Sequence, residues 1–134
     1  MAAACLDALA ALAHLACIAV GAPAYRLMGA GERMARAAEA GNLRPTLVTL
    51  AIATVLFVWA AYALAGAGLM AGLPLVKPVL VFISAAYLFR AGAFPLLRPI
   101  FPENREIFWR VSSSICFVIG CVHIGALALR WQAL

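Results

Sequence analysis

Two histidines and one aspartate lie inside long apolar segments of this chain. Asp7 and His14 belong to the first apolar segment, and His123 belongs to the last. An ionisable side chain is costly in a lipid bilayer, so such residues are the first candidates for function in a membrane protein. Imidazole titrates near neutral pH and also binds metals. The three residues therefore predict a polar vestibule that relays protons or binds a cation, with ligation of haem, copper or zinc as an alternative.

The spacing of these residues places them on helix faces that could meet. Asp7 and His14 are seven residues apart, which is nearly the same face of a helix, and His123 continues a small and polar stripe on the last segment. At 1.5 Å per residue from the outer ends, His14 lies about 13 Å deep and His123 about 9 Å deep. If the two helices are antiparallel neighbours, they are expected to form one polar cluster: Asp7, His14, Cys17, Cys116 and His123.

A purely structural role for the same residues is the simplest alternative. Small and polar stripes let membrane helices approach closely, and the two histidines could bond to each other, to backbone or to water. Asp7 is expected near the outer surface, within reach of Arg130.

Recognisable enzyme chemistry is absent from the sequence. The chain contains no Walker motif, HExxH, CxxC or GxSxG, and without CxxCH it cannot attach a c-type haem covalently. The cysteines avoid the loops, which argues against thiol–disulfide exchange. We therefore favour a non-enzymatic protein, predict no metal site, and leave the cofactor open; the cysteines are Cys5, Cys17, Cys116 and Cys121.

The composition defines the elements that must position these residues. Of the 134 residues, 67% are hydrophobic and only 11% are charged. A soluble domain has about 25% charged residues, so a water-soluble enzyme and a disordered chain are excluded. A nucleic-acid-binding module is excluded on the same ground, despite the net charge of +5. What remains is a multi-pass membrane protein.

Four segments have the length of about 20 apolar residues that a membrane-spanning helix needs. We predict one all-α domain over residues 1–134, an antiparallel bundle of four transmembrane helices. The predicted spans are Ala4–Ala24, Thr46–Gly66, Leu75–Ala93 and Ile107–Leu129.

The basic residues are distributed unevenly between the two sides of this bundle. Eight of the ten lie on the side of the first and third loops, while only Lys77 and Arg130 lie on the other. The positive-inside rule then predicts that both termini face outward. The segment Gly31–Gly41 is predicted to form a short surface helix, with anionic lipids at this cytoplasmic face as its partners. Arg90 and Trp109 are expected at headgroup level.

These observations lead to one principal functional hypothesis and two alternatives. The first is an oligomeric channel or transporter for an ion, a proton or a small solute, with Asp7, His14 and His123 on the pathway. The second is the membrane anchor of a redox complex that binds haem or quinone through the histidines. The third is a structural or regulatory membrane subunit. A bacterial inner membrane is the expected location, and a homo-oligomer or a larger membrane complex is the expected assembly.

Overall fold

The computed structural model describes all 134 residues and is entirely helical, without strands. Four long helices pack against one another, and three short helices lie in the connections between them. In chain order they are α1 (Ala2–Val20), α2 (Ala22–Leu27), α3 (Glu32–Glu39), α4 (Arg44–Gly66), α5 (Val76–Gly92), α6 (Phe94–Leu97) and α7 (Glu106–Arg130).

Three of the helices, α1, α4 and α7, are long and apolar enough to cross a membrane. They contain 19, 23 and 25 residues. The fourth long helix, α5, has 17 residues and is about 25 Å long at 1.5 Å per residue. It is shorter than the predicted third span, because Leu75 adopts a left-handed conformation that ends the helix on that side.

Small side chains allow the long helices to approach closely. The buried residues of α4 recur every three or four positions along one face, and three of the seven are alanine and one is glycine. The two principal pairs are α1 with α4 and α5 with α7. Their shared apolar core consists of Ala3, Ala4, Ala11, Leu56, Ala63, Leu80, Ile83, Tyr87 and Ile119.

The outer surface of the molecule is apolar, unlike that of a soluble protein. Many large hydrophobic side chains on the long helices are exposed, including Phe57, Phe82 and Phe117. Contiguous apolar surface of this kind is found where a protein meets lipid or another protein. The distribution is compatible with a multi-pass membrane protein.

The first predicted span, Ala4–Ala24, is interrupted instead of forming one continuous helix. Gly21 has a φ of 80°, which few other residues adopt without strain, and it separates α1 from α2. Tyr25 of α2 is buried, and its hydroxyl accepts a hydrogen bond from Thr49 at the start of α4. The first helix therefore ends at Val20 rather than continuing to residue 24, and the Tyr25–Thr49 bond joins α2 to α4.

The predicted surface helix is confirmed as α3, and ion pairs attach it to α2. Arg26 donates two hydrogen bonds to Glu32, each 2.9 Å long, and a third to Glu39 at 2.8 Å. Arg36 also donates to Glu32. The third loop contains one helical turn, α6, where none was expected; Pro95 lies in its first turn, where a missing N–H costs nothing.

Candidate functional site

The carboxylate of Asp7 is the most deeply buried charged group in the structure. Its side chain is 0% exposed, although α1 is otherwise made of apolar residues apart from His14. Ala3 and Ala11, one turn to either side, are also buried, so Asp7 lies on the face of α1 that packs into the bundle. A buried carboxylate needs hydrogen-bond donors from its neighbours.

His123 on α7 is the first of these donors. Its Nε2 lies 3.0 Å from Asp7 Oδ2 and 3.2 Å from Oδ1, and its side chain is 2% exposed. When Asp7 is ionised it can only accept hydrogen bonds, and Nε2 of His123 then carries a proton. The contact also shows that α1 and α7 are neighbours, which the sequence left open.

Tyr87 on α5 is the second donor, and the sequence analysis did not identify it. Its hydroxyl donates to Asp7 Oδ1 at 2.7 Å. The phenol ring stacks on the His123 ring, with centroids 5.7 Å apart, and the Trp59 ring of α4 packs edge-on against it, with centroids 5.3 Å apart. The available signal was a phenol hydroxyl inside a predicted span, because such a group needs a partner. Asp7, Tyr87 and His123 are referred to below as the Asp7 cluster.

A cavity of about 350 Å³ reaches His123 from the end of the bundle where α4 and α7 finish. His123 and the exposed Arg130 are the ionisable side chains in its wall, and most of the remainder is alanine and leucine. Lys77 lies 4.2 Å from the ring centre of Trp131 at the same end of the molecule. The cavity is therefore apolar inside and carries a positive charge at its rim.

The structure does not bring His14 into the cluster. Its ring Nδ1 bonds to the carbonyl oxygen of Ala10 on its own helix at 2.8 Å, and the residue is only half-buried. His14 lies about 10 Å along α1 from Asp7, two helical turns away. The two histidines thus have different partners, which removes the expected pair of imidazoles.

The two cysteines of the expected cluster are also apart. Cys17 packs with Ala22, Tyr25 and Ala35, whereas Cys116 packs against the core that contains Tyr87. Asp7 does not lie at the surface beside Arg130 as expected, because the rotation of α1 turns its side chain inward towards His123. No three His, Cys, Asp or Glu side chains come together as a set of metal ligands.

The Asp7 cluster can exchange a proton between two groups of different type. A proton added to Asp7 removes its negative charge and weakens the hydrogen bonds from Tyr87 and His123. The imidazole can hold a proton on either nitrogen or on both. Because the donors come from α5 and α7 while the acceptor belongs to α1, a change of protonation alters contacts among three helices.

No protein-family model, no curated protein and no solved structure matches this chain.

Proposed function

We propose that this chain is a multi-pass membrane protein that moves a proton, an ion or a small solute through the Asp7 cluster. The observation that carries the proposal is the buried Asp7 carboxylate, which His123 and Tyr87 join to two other helices. Intramembrane carboxylates that are paired with histidine are typical of proton relays. Alanine or leucine at these positions would build the same bundle without the cost of burying a charge.

The cavity supplies the entry route in this proposal. It leads from the end of the bundle marked by Arg130 to the His123 ring, and Asp7 lies directly behind that ring. A proton or solute that enters there meets His123 first. His14 lies on the same face of α1, two turns further along, and is the next ionisable group on the path.

Four spans and an outward location of both termini complete the proposal. We assign α5 as the remaining span because it packs between α4 and α7 and is apolar for most of its length. The uneven distribution of basic residues sets the orientation. The exposed apolar faces would associate with other copies or with a membrane partner, and the expected setting is a bacterial inner membrane.

One observation favours a second candidate function, the binding of a quinone as the anchor of a redox complex. The cavity is apolar except for His123 and Arg130. A quinone has a flat apolar ring and carbonyl oxygens that accept hydrogen bonds from Arg130, and from His123 Nδ1 when the imidazole carries both protons. Ligation of haem by both histidines has less support, because His14 and His123 bond to different partners. A third candidate is a structural subunit in which the Asp7 cluster only holds three helices together.

Proton flux into liposomes tests the principal proposal. The purified protein is reconstituted with a pH-sensitive dye inside the vesicles, and a potassium gradient with valinomycin drives protons inward. We expect flux through the wild type and a decrease of at least tenfold in Asp7→Asn. Thr54→Ala is the control, because Thr54 is exposed and bonds only to its own helix.

Retained flux in a folded Asp7→Asn protein would contradict the proposal. Absence of flux in the wild type, together with saturable quenching of tryptophan fluorescence by a soluble quinone, would select the second candidate. If neither signal is present and Asp7→Asn changes only the unfolding temperature, the cluster has a structural role.

A further inference from the structure

Three buried polar atoms in the chain have no hydrogen-bond partner, and all three lie near the junction of α5 and α7. They are Nη1 of Arg90, Nε1 of Trp109 and Oγ of Ser113. The first two can only donate a hydrogen bond, and the third can donate one. An unpaired buried donor typically costs about 1–3 kcal/mol, so such groups need an explanation. With Ser112 they are referred to below as the Arg90 site.

The structure holds these donors in place. Arg90 Nη2 donates to Ser112 Oγ at 3.0 Å, and the Arg90 guanidinium carbon lies 5.6 Å from the centre of the Trp109 ring. Trp109 is 2% exposed. Phe94 and Phe108 pack against its ring, with centroid distances of 5.9 and 5.4 Å.

The charge of Arg90 has no counter-ion within the chain. The structure's ion pairs involve Arg26, Arg36 and His123, and Arg90 takes part in none of them. Residues 90–110 contain four arginines and only two glutamates, so the local potential favours an anion. A half-buried guanidinium without a carboxylate is stabilised when an external anion completes its hydrogen bonds.

We propose that the Arg90 site binds the phosphate group of an anionic phospholipid. The planar guanidinium matches two phosphate oxygens, and the Trp109 N–H and the Ser113 O–H provide further donors. α5 ends two residues after Arg90, and α7 begins three residues before Trp109, which is headgroup level for helices that span the bilayer. Arg90 is half-buried but its unpaired Nη1 is covered, so a ligand that approaches from the bilayer must displace the side chains over it. Inorganic phosphate carries the same chemistry and is the other source of such a group.

Binding of soluble short-chain lipids tests the site. Protein purified in a neutral detergent is titrated with dihexanoyl-phosphatidylglycerol and, separately, with inorganic phosphate, and thermal unfolding reports binding. We expect saturable stabilisation by the lipid. Arg90→Gln should raise its Kd at least tenfold, and Trp109→Phe should raise it about threefold, because it removes the indole N–H while an aromatic ring remains.

Arg110→Gln is the matched control, since Arg110 is exposed at the same end of α7 and loses the same charge. It should bind the lipid like the wild type. Equal weakening by Arg90→Gln and Arg110→Gln would overturn the proposal, because it would show diffuse attraction to the surface. Unchanged affinity in Trp109→Phe and Arg90→Gln would also overturn it.

The same experiment distinguishes a phospholipid from free phosphate as the ligand, and it distinguishes the Arg90 site from the Asp7 cluster. Stabilisation by the lipid and not by phosphate supports the phospholipid, whereas equal affinity for inorganic phosphate would overturn the lipid assignment in favour of the free anion. If Arg90→Gln does not fold, Trp109→Phe still decides the outcome because it keeps an aromatic ring at position 109 and the charge of Arg90. Asp7→Asn should bind the lipid normally, so failure of the proposed proton pathway leaves this proposal intact.

Discussion

The Tyr87 hydroxyl lies 2.7 Å from the Asp7 carboxylate, although the two residues are 80 positions apart in the chain. This hydrogen bond joins α5 to α1, and the bond from His123 joins α7 to the same carboxylate. The one buried acid of the bundle is therefore shared by three of its helices. Any change of its charge or of its partners acts on the packing of the bundle.

Replacement of Asp7 by alanine should destabilise the protein strongly, because it leaves the Tyr87 hydroxyl and the His123 ring buried without an acceptor. We expect a loss of about 2–6 kcal/mol, because each of the two buried donors left unpaired costs about 1–3 kcal/mol. Unfolding in a denaturing detergent measures it. His14→Ala is the control and should lose less than about 1 kcal/mol, since its ring bonds only to its own helix. Equal losses in the two variants would show that Asp7 is not the residue that joins the helices.

Tyr87→Phe tests the hydroxyl separately from the ring. The ring contacts with Trp59 and His123 remain, while the hydrogen bond to Asp7 is lost. We expect a decrease of about 1.5–3 kcal/mol in the free energy of unfolding, the range for a bond to a charged group. Tyr62→Phe provides the comparison, because the hydroxyl of Tyr62 has no hydrogen-bond partner within the chain, and it should be nearly neutral. If Tyr87→Phe left the free energy of unfolding unchanged, the hydrogen bond from Tyr87 to Asp7 would contribute nothing to stability.

The close approach of α5 and α7 depends on Gly120. A Cβ atom at this position would lie 2.8 Å from Leu88 Cδ2 and 3.3 Å from Tyr87 Cβ. Gly120→Ala should therefore cost about 1–3 kcal/mol through overpacking and should displace Tyr87 from Asp7. Gly125→Ala is the matched variant, because nothing lies within 4 Å of its Cβ position. It should be neutral or stabilising by up to about 1 kcal/mol, as expected for alanine in a helix. Thermal unfolding measures the difference: Gly120→Ala should unfold at a lower temperature than Gly125→Ala, and the reverse order would contradict the prediction.

The ion pairs of α3 should be visible in an acid titration. The hydrogen bonds from Arg26, and then that from Arg36, lower the pKa of Glu32 from its ordinary value of 4.5 to about 2. Because the folded pKa is depressed, the stabilisation is complete above pH 4.5 and is lost as the pH falls towards 2. Carboxyl ¹³C NMR should give a midpoint near pH 2 for Glu32. In Arg26→Gln the midpoint should move towards 4.5, whereas Arg33→Gln, which removes an arginine outside these bonds, should leave it unchanged.

The sequence by itself determined the class of this protein and most of its helices. Apolar runs longer than about 18 residues have few alternatives to a membrane helix, because backbone groups in lipid must be satisfied within the helix. This local argument predicted α1, α4 and α7, and the charge and glycine pattern predicted α3. It also selected Asp7 and His123, since an ionisable group in an apolar run is conspicuous without any knowledge of its neighbours.

Only the tertiary structure decided which residues meet. The rotation of α1 turned Asp7 into the bundle, and the position of Gly21 ended the helix earlier than its apolar run indicated. The Tyr87 hydroxyl inside a predicted span indicated that it needs a hydrogen-bond partner, but nothing in its local sequence identifies Asp7 as that partner. His14 is ionisable and therefore stands out more in the sequence than Tyr87 does, but its ring bonds to the backbone of its own helix. Hydrogen-bond partners depend on helix order and rotation, which arise from packing between segments far apart in the chain, and no local pattern encodes them.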